Sequence, residues 1–205
     1  MSLVISFIGV SGAVMAGDMR EIRFRGEEDK IAILEDELYS GRIAMEETLE
    51  LRAEGLGIEI SISDTKNKIF QSDGVLIGEV TSTDGVVRSR RRLYATIDSY
   101  AIVDFLDGAA TIRRQGSGSS FIVLGSEIGK AIAQNSINRY WKGGEIREAI
   151  EIIMRVMTDV AEKTATVSRR YVMVQSGTKG DIRSKMRRDG VRLDDFNAES
   201  SSGHA

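Results

Sequence analysis

The 205-residue sequence contains no cysteine, so disulfides, iron–sulfur clusters and thiolate zinc sites are excluded. It contains one histidine, His204, second from the end of a Ser/Gly-rich tail. A His-rich catalytic metal site is excluded with it, while a site of Asp and Glu alone is left open by composition. A Ser-His-Asp triad would have to recruit His204 from that tail and is rejected. The expectation is chemistry without a metal or a cofactor. Proline is absent too, where average usage of about 5% would supply roughly ten. Turns therefore fall to the 21 glycines and to Asn, Asp and Ser. No run approaches the roughly 20 apolar residues that span a bilayer. No basic region precedes the first apolar stretch, and Gly9, Ser11 and Gly12 interrupt it, which is not a signal peptide. A cytoplasmic protein without membrane insertion is expected. Charge of one sign is lacking as well: 28 Lys and Arg face 31 Asp and Glu, which argues against a generally basic nucleic-acid binder.

What is present is globular. Apolar residues at 41% and charged residues at 29% are not the proportions of a disordered chain. A domain of this size removes roughly 70% of its extended-chain surface from water, enough for a real core. Leu3 to Ile8 reads as a strand, Gly9 to Gly12 as a tight turn and Ala13 to Ala16 as a second strand. A charged stretch leads into Ile31–Leu34 and Leu38–Gly41, followed by a helix over Ile43–Glu54 stopped by Gly55 and Gly57. From Ile58 to Leu124 the period is two, with hairpin turns at Asp73-Gly74, Asp84-Gly85 and Asp107-Gly108. Gln115–Ser119 reads as a flexible link. Two helices follow, Ser126 to about Trp141 and one from Ile146 carrying an Ile150, Ile153, Met157, Val160 stripe. Tyr171–Val174 is a last strand. The order predicts an α+β fold with sheets enclosed by helix layers, in one domain over residues 1–176. Residues 177–205 read as a charged, partly flexible tail with a short helix around Ser184–Arg188.

The chemistry points to the start of the chain. Met1 precedes a small residue, Ser2, and initiator methionine is removed before small side chains. An α-amine with a pKa near 8 is partly neutral at cellular pH and can accept the proton of its own residue's hydroxyl. Ser2 would then be nucleophile and base together, with no need of histidine. Met-Ser starts are common, and what distinguishes this one is the strand that begins at Leu3.

The opening from Ser2 to Gly12, followed by Ala13-Val14-Met15-Ala16-Gly17-Asp18-Met19-Arg20, resembles that of proteasome β-subunits. In detail it is similar to Connectase, a proteasome-related protein ligase family of methanogenic archaea. The members behind that resemblance start with Thr, so Ser2 keeps the hydroxyl and loses the methyl that stiffens χ1. The resemblance implies an N-terminal-nucleophile, proteasome-β-like α/β/β/α sandwich, here with extra strands. It also implies transpeptidation at the Asp-Pro bond of a Lys-Asp-Pro-Gly-Ala motif, as in the A subunit of the methanogen methyltransferase. Ser2, Asp18 and Lys30 would be catalytic, with Lys30 opening a strand and its ammonium paired to Asp18. Gly41 N–H would donate to the oxyanion and Ser126 would support the amine, with Thr166 or Ser168 as a further hydroxyl. Each has an ordinary alternative: a salt bridge, a turn glycine, a helix N-cap. The sheet-rich stretch Ile58–Leu93 stands where the family has a helix, so an oligomeric ring is not expected.

Other features carry less. Arg88, Arg90, Arg91 and Arg92 form a basic run suited to phosphate or an acidic substrate, or to a solvated strand face. Gly116 and Gly118 precede a strand, the wrong context for dinucleotide binding. A proteasome-like peptidase and a catalytically silent binding protein are the competing readings.

Overall fold

The computed structural model describes residues 3–84 and 87–193, with side chains described outside 82–88. Strands β1 (Val4–Ile8) and β2 (Ala13–Asp18) form the expected hairpin, closed by Gly9 N–H donating to the Gly12 carbonyl at 2.9 Å. Strand β3 (Glu21–Arg25) leaves the sheet, and helices α1 (Glu28–Tyr39) and α2 (Glu46–Leu56) follow. Strand β4 (Glu59–Ser63) returns to pair with β3 as a separate two-stranded ribbon. A five-stranded antiparallel meander comes next: β5 (Ile69–Ser72), β6 (Val75–Asp84), β7 (Val87–Thr96), β8 (Ser99–Leu106) and β9 (Ala109–Ser117). Then come β10 (Ser120–Leu124), α3 (Glu127–Tyr140), α4 (Ile146–Lys163), β11 (Tyr171–Ser176) and α5 (Ile182–Arg188).

The first sheet has the order β10-β1-β2-β11 and lies face to face with the meander. Strand period explains the layers, because successive side chains point to opposite faces. Val4, Ile8, Ala13 and Met15 meet Ile69, Leu76, Leu93 and Ile102 between the sheets. Leu3, Ile5, Phe7 and Ala16 point the other way, onto Ile137, Ile153, Met157 and Val160 of α3 and α4. Burying each of these larger side chains contributes about 1.5–3 kcal/mol. Ser6, the polar intruder in this strand, is buried and donates its hydroxyl to the Val14 carbonyl at 2.9 Å. Among the described residues no helix is long and apolar enough to cross a membrane.

Asp73-Gly74 and Asp107-Gly108 turn hairpins as expected, with both residues of each pair at positive φ. Gly85 of the Asp84-Gly85 turn lies outside the described residues. Four readings change. The segment Ile31–Tyr39 is helix, because Leu34 and Leu38, one turn apart, are its buried face. Gln115–Ser117 continues β9, and Gly116 lies against the Tyr100 ring. The helix layers are unequal: α3 and α4 cover the first sheet, whereas among the described residues the outer face of the meander has only α5 over it. That helix comes from the supposed tail. Ile182, Met186 and Val191 are buried against Val75, Ile77 and Tyr94, so the chain from 177 to 193 belongs to the body. Arg92 and the Tyr94 hydroxyl lock it by donating to Asp189, at 2.8 and 2.7 Å.

Candidate active site

The end of the first sheet at which β1 begins is built around Asp18. Its side chain is inaccessible to solvent, and its carboxylate accepts from three directions. Leu3 N–H donates to Oδ1 at 2.7 Å, Arg20 N–H to Oδ2 at 2.8 Å, and Lys68 Nζ to Oδ2 at 2.7 Å. The Asp18 N–H in turn donates to the Leu3 carbonyl at 3.1 Å. One buried carboxylate therefore clamps Leu3, the residue just before β1, and holds a cation beside it.

Lys68 reaches this point from the strand-like approach to β5. Lys66 N–H donates to the Met19 carbonyl at 3.0 Å, and Glu79 N–H to the Lys68 carbonyl at 2.9 Å. Gly17 lets that chain lie close, since a Cβ there would stand 2.8 Å from Ile69 Cγ2. The ammonium is 4% exposed and also donates to the Arg20 carbonyl at 2.7 Å. Burial pushes its pKa below the ordinary lysine value, and the Asp18 charge pulls it back up.

A second tier surrounds the pair. The Arg20 guanidinium forks onto Asp64 at 2.9 and 3.1 Å, donates to the Ala165 carbonyl at 2.8 Å and reaches Glu46 at 3.0 Å. It thereby ties the loop before β5, the first turn of α2 and the loop before β11 to the end of β2. The hydrogen bond from Arg20 holds Asp64 below the usual carboxylate range, and Ser168 also donates to it. Ser168 is thus joined to this network, while Thr166 donates to Thr164 Oγ1 at 3.3 Å.

The expected residues fare differently. Ser2 lies outside the described residues. Asp18 is in place. Lys30 is not brought to it: it sits on α1, 42% exposed, and pairs with Glu27 at 3.0 Å. The expected Asp18–Lys30 pair is replaced by Asp18–Lys68. Gly41 follows α1 at φ +86 against Ile128, but its N–H donates to the Leu38 carbonyl at 3.2 Å. Ser126 is the N-cap of α3, accepting from Gly129 N–H at 3.2 Å, and it still carries its own hydroxyl proton. Lys68 and Arg20 were the residues missed. Both Lys30-Ile31 and Lys68-Ile69-Phe70 place a lysine ahead of apolar residues. Only the second opens a strand, and the hairpin turn at Asp73-Gly74 was the available sign of it.

The family model described as "Connectase MJ0548-like, N-terminal domain" matches residues 1–191. The chain belongs to the Connectase family. Two solved structures are similar to it. Eukaryotic HslV from Trypanosoma brucei has 11% identity and a TM-score of 0.49, over 84% of this chain and 98% of that one. Anbu (ancestral beta-subunit) from Yersinia bercovieri has 10% identity and a TM-score of 0.47, over 92% of each chain. No curated protein matches the sequence. In this Connectase-family chain two antiparallel sheets lie face to face, with the β3–β4 ribbon and the α1–α2 pair packed as a separate cluster. Among the described residues no group of three or more His, Asp or Glu is placed to hold a metal ion.

Proposed function

We propose that the chain is a sequence-specific transpeptidase that opens and re-forms an Asp-Pro bond through an acyl group on Ser2. The observation that carries this reading, alongside membership of the Connectase family, is the buried Lys68–Asp18–Leu3 N–H chain of 2.7 Å contacts. A buried cation that shares a carboxylate with the Leu3 N–H has little use in packing. Its burial disfavours the ammonium, and such an arrangement is kept where charge develops during a reaction.

In this reading Met1 is removed and the freed α-amine accepts the hydroxyl proton as Ser2 Oγ attacks the Asp carbonyl carbon. The oxyanion collapses, the bond to the proline nitrogen breaks, and that nitrogen takes the proton back from the amine. The ester on Oγ passes to the adjacent amine through a five-membered ring, storing the acyl group as an amide. An incoming Pro-starting fragment reverses these steps. The Lys68 ammonium disfavours protonation of the amine and stabilises the developing alkoxide. Gly41 N–H serves the oxyanion only by giving up its bond to Leu38, and Ser126 can donate its remaining proton to the amine. The substrate would carry a Lys-Asp-Pro-Gly-Ala-like motif, the methanogen methyltransferase A subunit being one candidate. The protein would act in the cytoplasm outside any ring.

The experiment is intact mass of the protein before and after mixing with a Lys-Asp-Pro-Gly-Ala peptide and an excess of Pro-Gly-Ala-starting acceptor. Loss of Met1, an adduct absent from Ser2→Ala, and exchanged peptide as the main product are expected. Free acid as the main product moves the chain to the peptidase reading. Retained Met1 with no adduct overturns the catalytic reading altogether.

A further inference from the structure

The basic run on β7 takes no part in the chemistry above. With the facing strands, its Arg91 lines an open cleft of about 450 Å³ between β10 and the meander. Arg91, Arg113, Arg114 and Lys130 line it against two carboxylates, Asp104 and Glu127. Those carboxylates are already shared. Asp104 takes Arg91 at 2.6 Å and Arg113 at 3.1 Å, and Glu127 takes Lys130. Arg90 turns to the other face of the meander, 5.3 Å over the Phe105 ring, and adds no charge to the cleft. Arg114 rests 6.0 Å over the ring of Tyr100. The lining has two positive charges in surplus, in a chain whose net charge is −3.

The cleft is also part of a longer groove. A second hollow shares Arg114, Glu127 and Lys130 with it and continues along Ser120–Val123. The groove therefore follows β10, the outer strand of its sheet. It ends at Leu124 and Gly125, where Leu124 pairs with Val4. The start of β1 is thus immediately beside its end.

We propose that this groove binds an extended acidic segment of the protein substrate, laid along β10 beside the bond that is exchanged. The occupant rests on the transpeptidase reading; the ligand chemistry rests on the groove. An outer strand offers backbone groups to an added strand, and side chains at every second position then reach the wall. Arginine forks match carboxylates in geometry as well as in charge. A single-stranded polynucleotide fits less well, because such sites stack bases on aromatic faces and Tyr100 here is buried under Arg114.

The test is fluorescence anisotropy on full-length Ser2→Ala protein, which performs no acyl transfer. Two labelled peptides share the Lys-Asp-Pro-Gly-Ala core and carry flanks of Glu or of Lys. The Glu peptide should bind at least about tenfold more tightly, the combined effect of several partly exposed charge contacts. The preference should fade as salt rises, since screening shortens the reach of exposed charges. Arg113→Glu/Arg114→Glu should abolish it and the Gln versions should reduce it, with circular dichroism reporting the fold. Arg147→Glu on α4, a charge reversal elsewhere, should leave it. Equal affinity for the two peptides, or displacement of the Glu peptide by an oligonucleotide at lower concentration than by itself, overturns the proposal. Selective binding by a protein that forms no adduct as wild type overturns the transpeptidase reading and leaves the acidic groove standing.

Discussion

Replacing Lys68 by Met retains most of the buried stem and removes the charge, which makes it the sharpest perturbation of the site. In the wild type the ammonium donates to Asp18 Oδ2 and to the Arg20 carbonyl, each at 2.7 Å, with both charged groups almost wholly out of water. Without it, Asp18 keeps only the Leu3 and Arg20 amides, and a carboxylate is left buried without a counter-charge. Breaking a buried pair in this way costs about 3–5 kcal/mol, a large part of the roughly 5–15 kcal/mol available to a domain. Urea unfolding should show that loss. Lys68→Met/Asp18→Asn, which removes both charges, should recover much of it. Acylation behaves otherwise. Removing one preorganised electrostatic group slows reaction about 100- to 1,000-fold, and single-turnover capture by mass spectrometry should stay slow in the double variant. Lys30→Ala, on the exposed face of α1, should change capture less than twofold and stability by under about 0.5 kcal/mol. A folded Lys68→Met protein that captures peptide within threefold of wild type would refute the role given to the cation.

Three further outcomes are expected. Gly17→Ala puts a methyl 2.8 Å from Ile69 Cγ2 and 3.7 Å from Lys68 Cβ; it should cost about 1–3 kcal/mol by overpacking and slow capture more than tenfold. Unchanged capture would show that the Lys68 backbone need not lie so close. Met186→Ala on α5 should lower stability by about 2–5 kcal/mol in urea unfolding, and no loss would return that helix to the status of a tail. Asp64 has a native pKa held below its ordinary value of 3.8 by Arg20. Its stabilising contribution is complete above that value and is lost as pH falls through the native pKa. Asp64→Asn should thus flatten acid unfolding below about pH 4, and curves parallel to wild type would place the acid-sensitive group elsewhere.

Much of the scaffold is legible in the residues themselves. Leu3–Ile8 alternates between two buried faces, the Ile150–Val160 stripe has helical spacing, and Asp-Gly pairs mark turns where positive φ is required. Misreadings arise where charge dilutes the pattern. In α1, Leu34 and Leu38 are buried among seven charged or polar neighbours, and in α5 Ile182 and Met186 sit among four basic residues. Propensity and period are weak there, and tertiary burial decides. The site is harder still. Asp18 is fixed by its place at the end of β2, but its partner comes from 50 residues onward, and no local spacing encodes an ion pair between a strand end and a distant loop brought together by sheet packing.

The strand order has a consequence in time. β1 pairs with β2 next to it in the chain, but its other neighbour is β10, where Val4 meets Leu124, and β2 finds its outer partner only in β11. A hairpin alone is marginally stable in water. At roughly 5–20 residues per second of synthesis, the chain start therefore waits about 6–24 seconds for Leu124 to be made. On the mechanism proposed above, those seconds are when Met1 would be removed, before Asp18 and Lys68 close around Leu3. Any change that hastened this sheet would shorten the interval left for unmasking the proposed nucleophile.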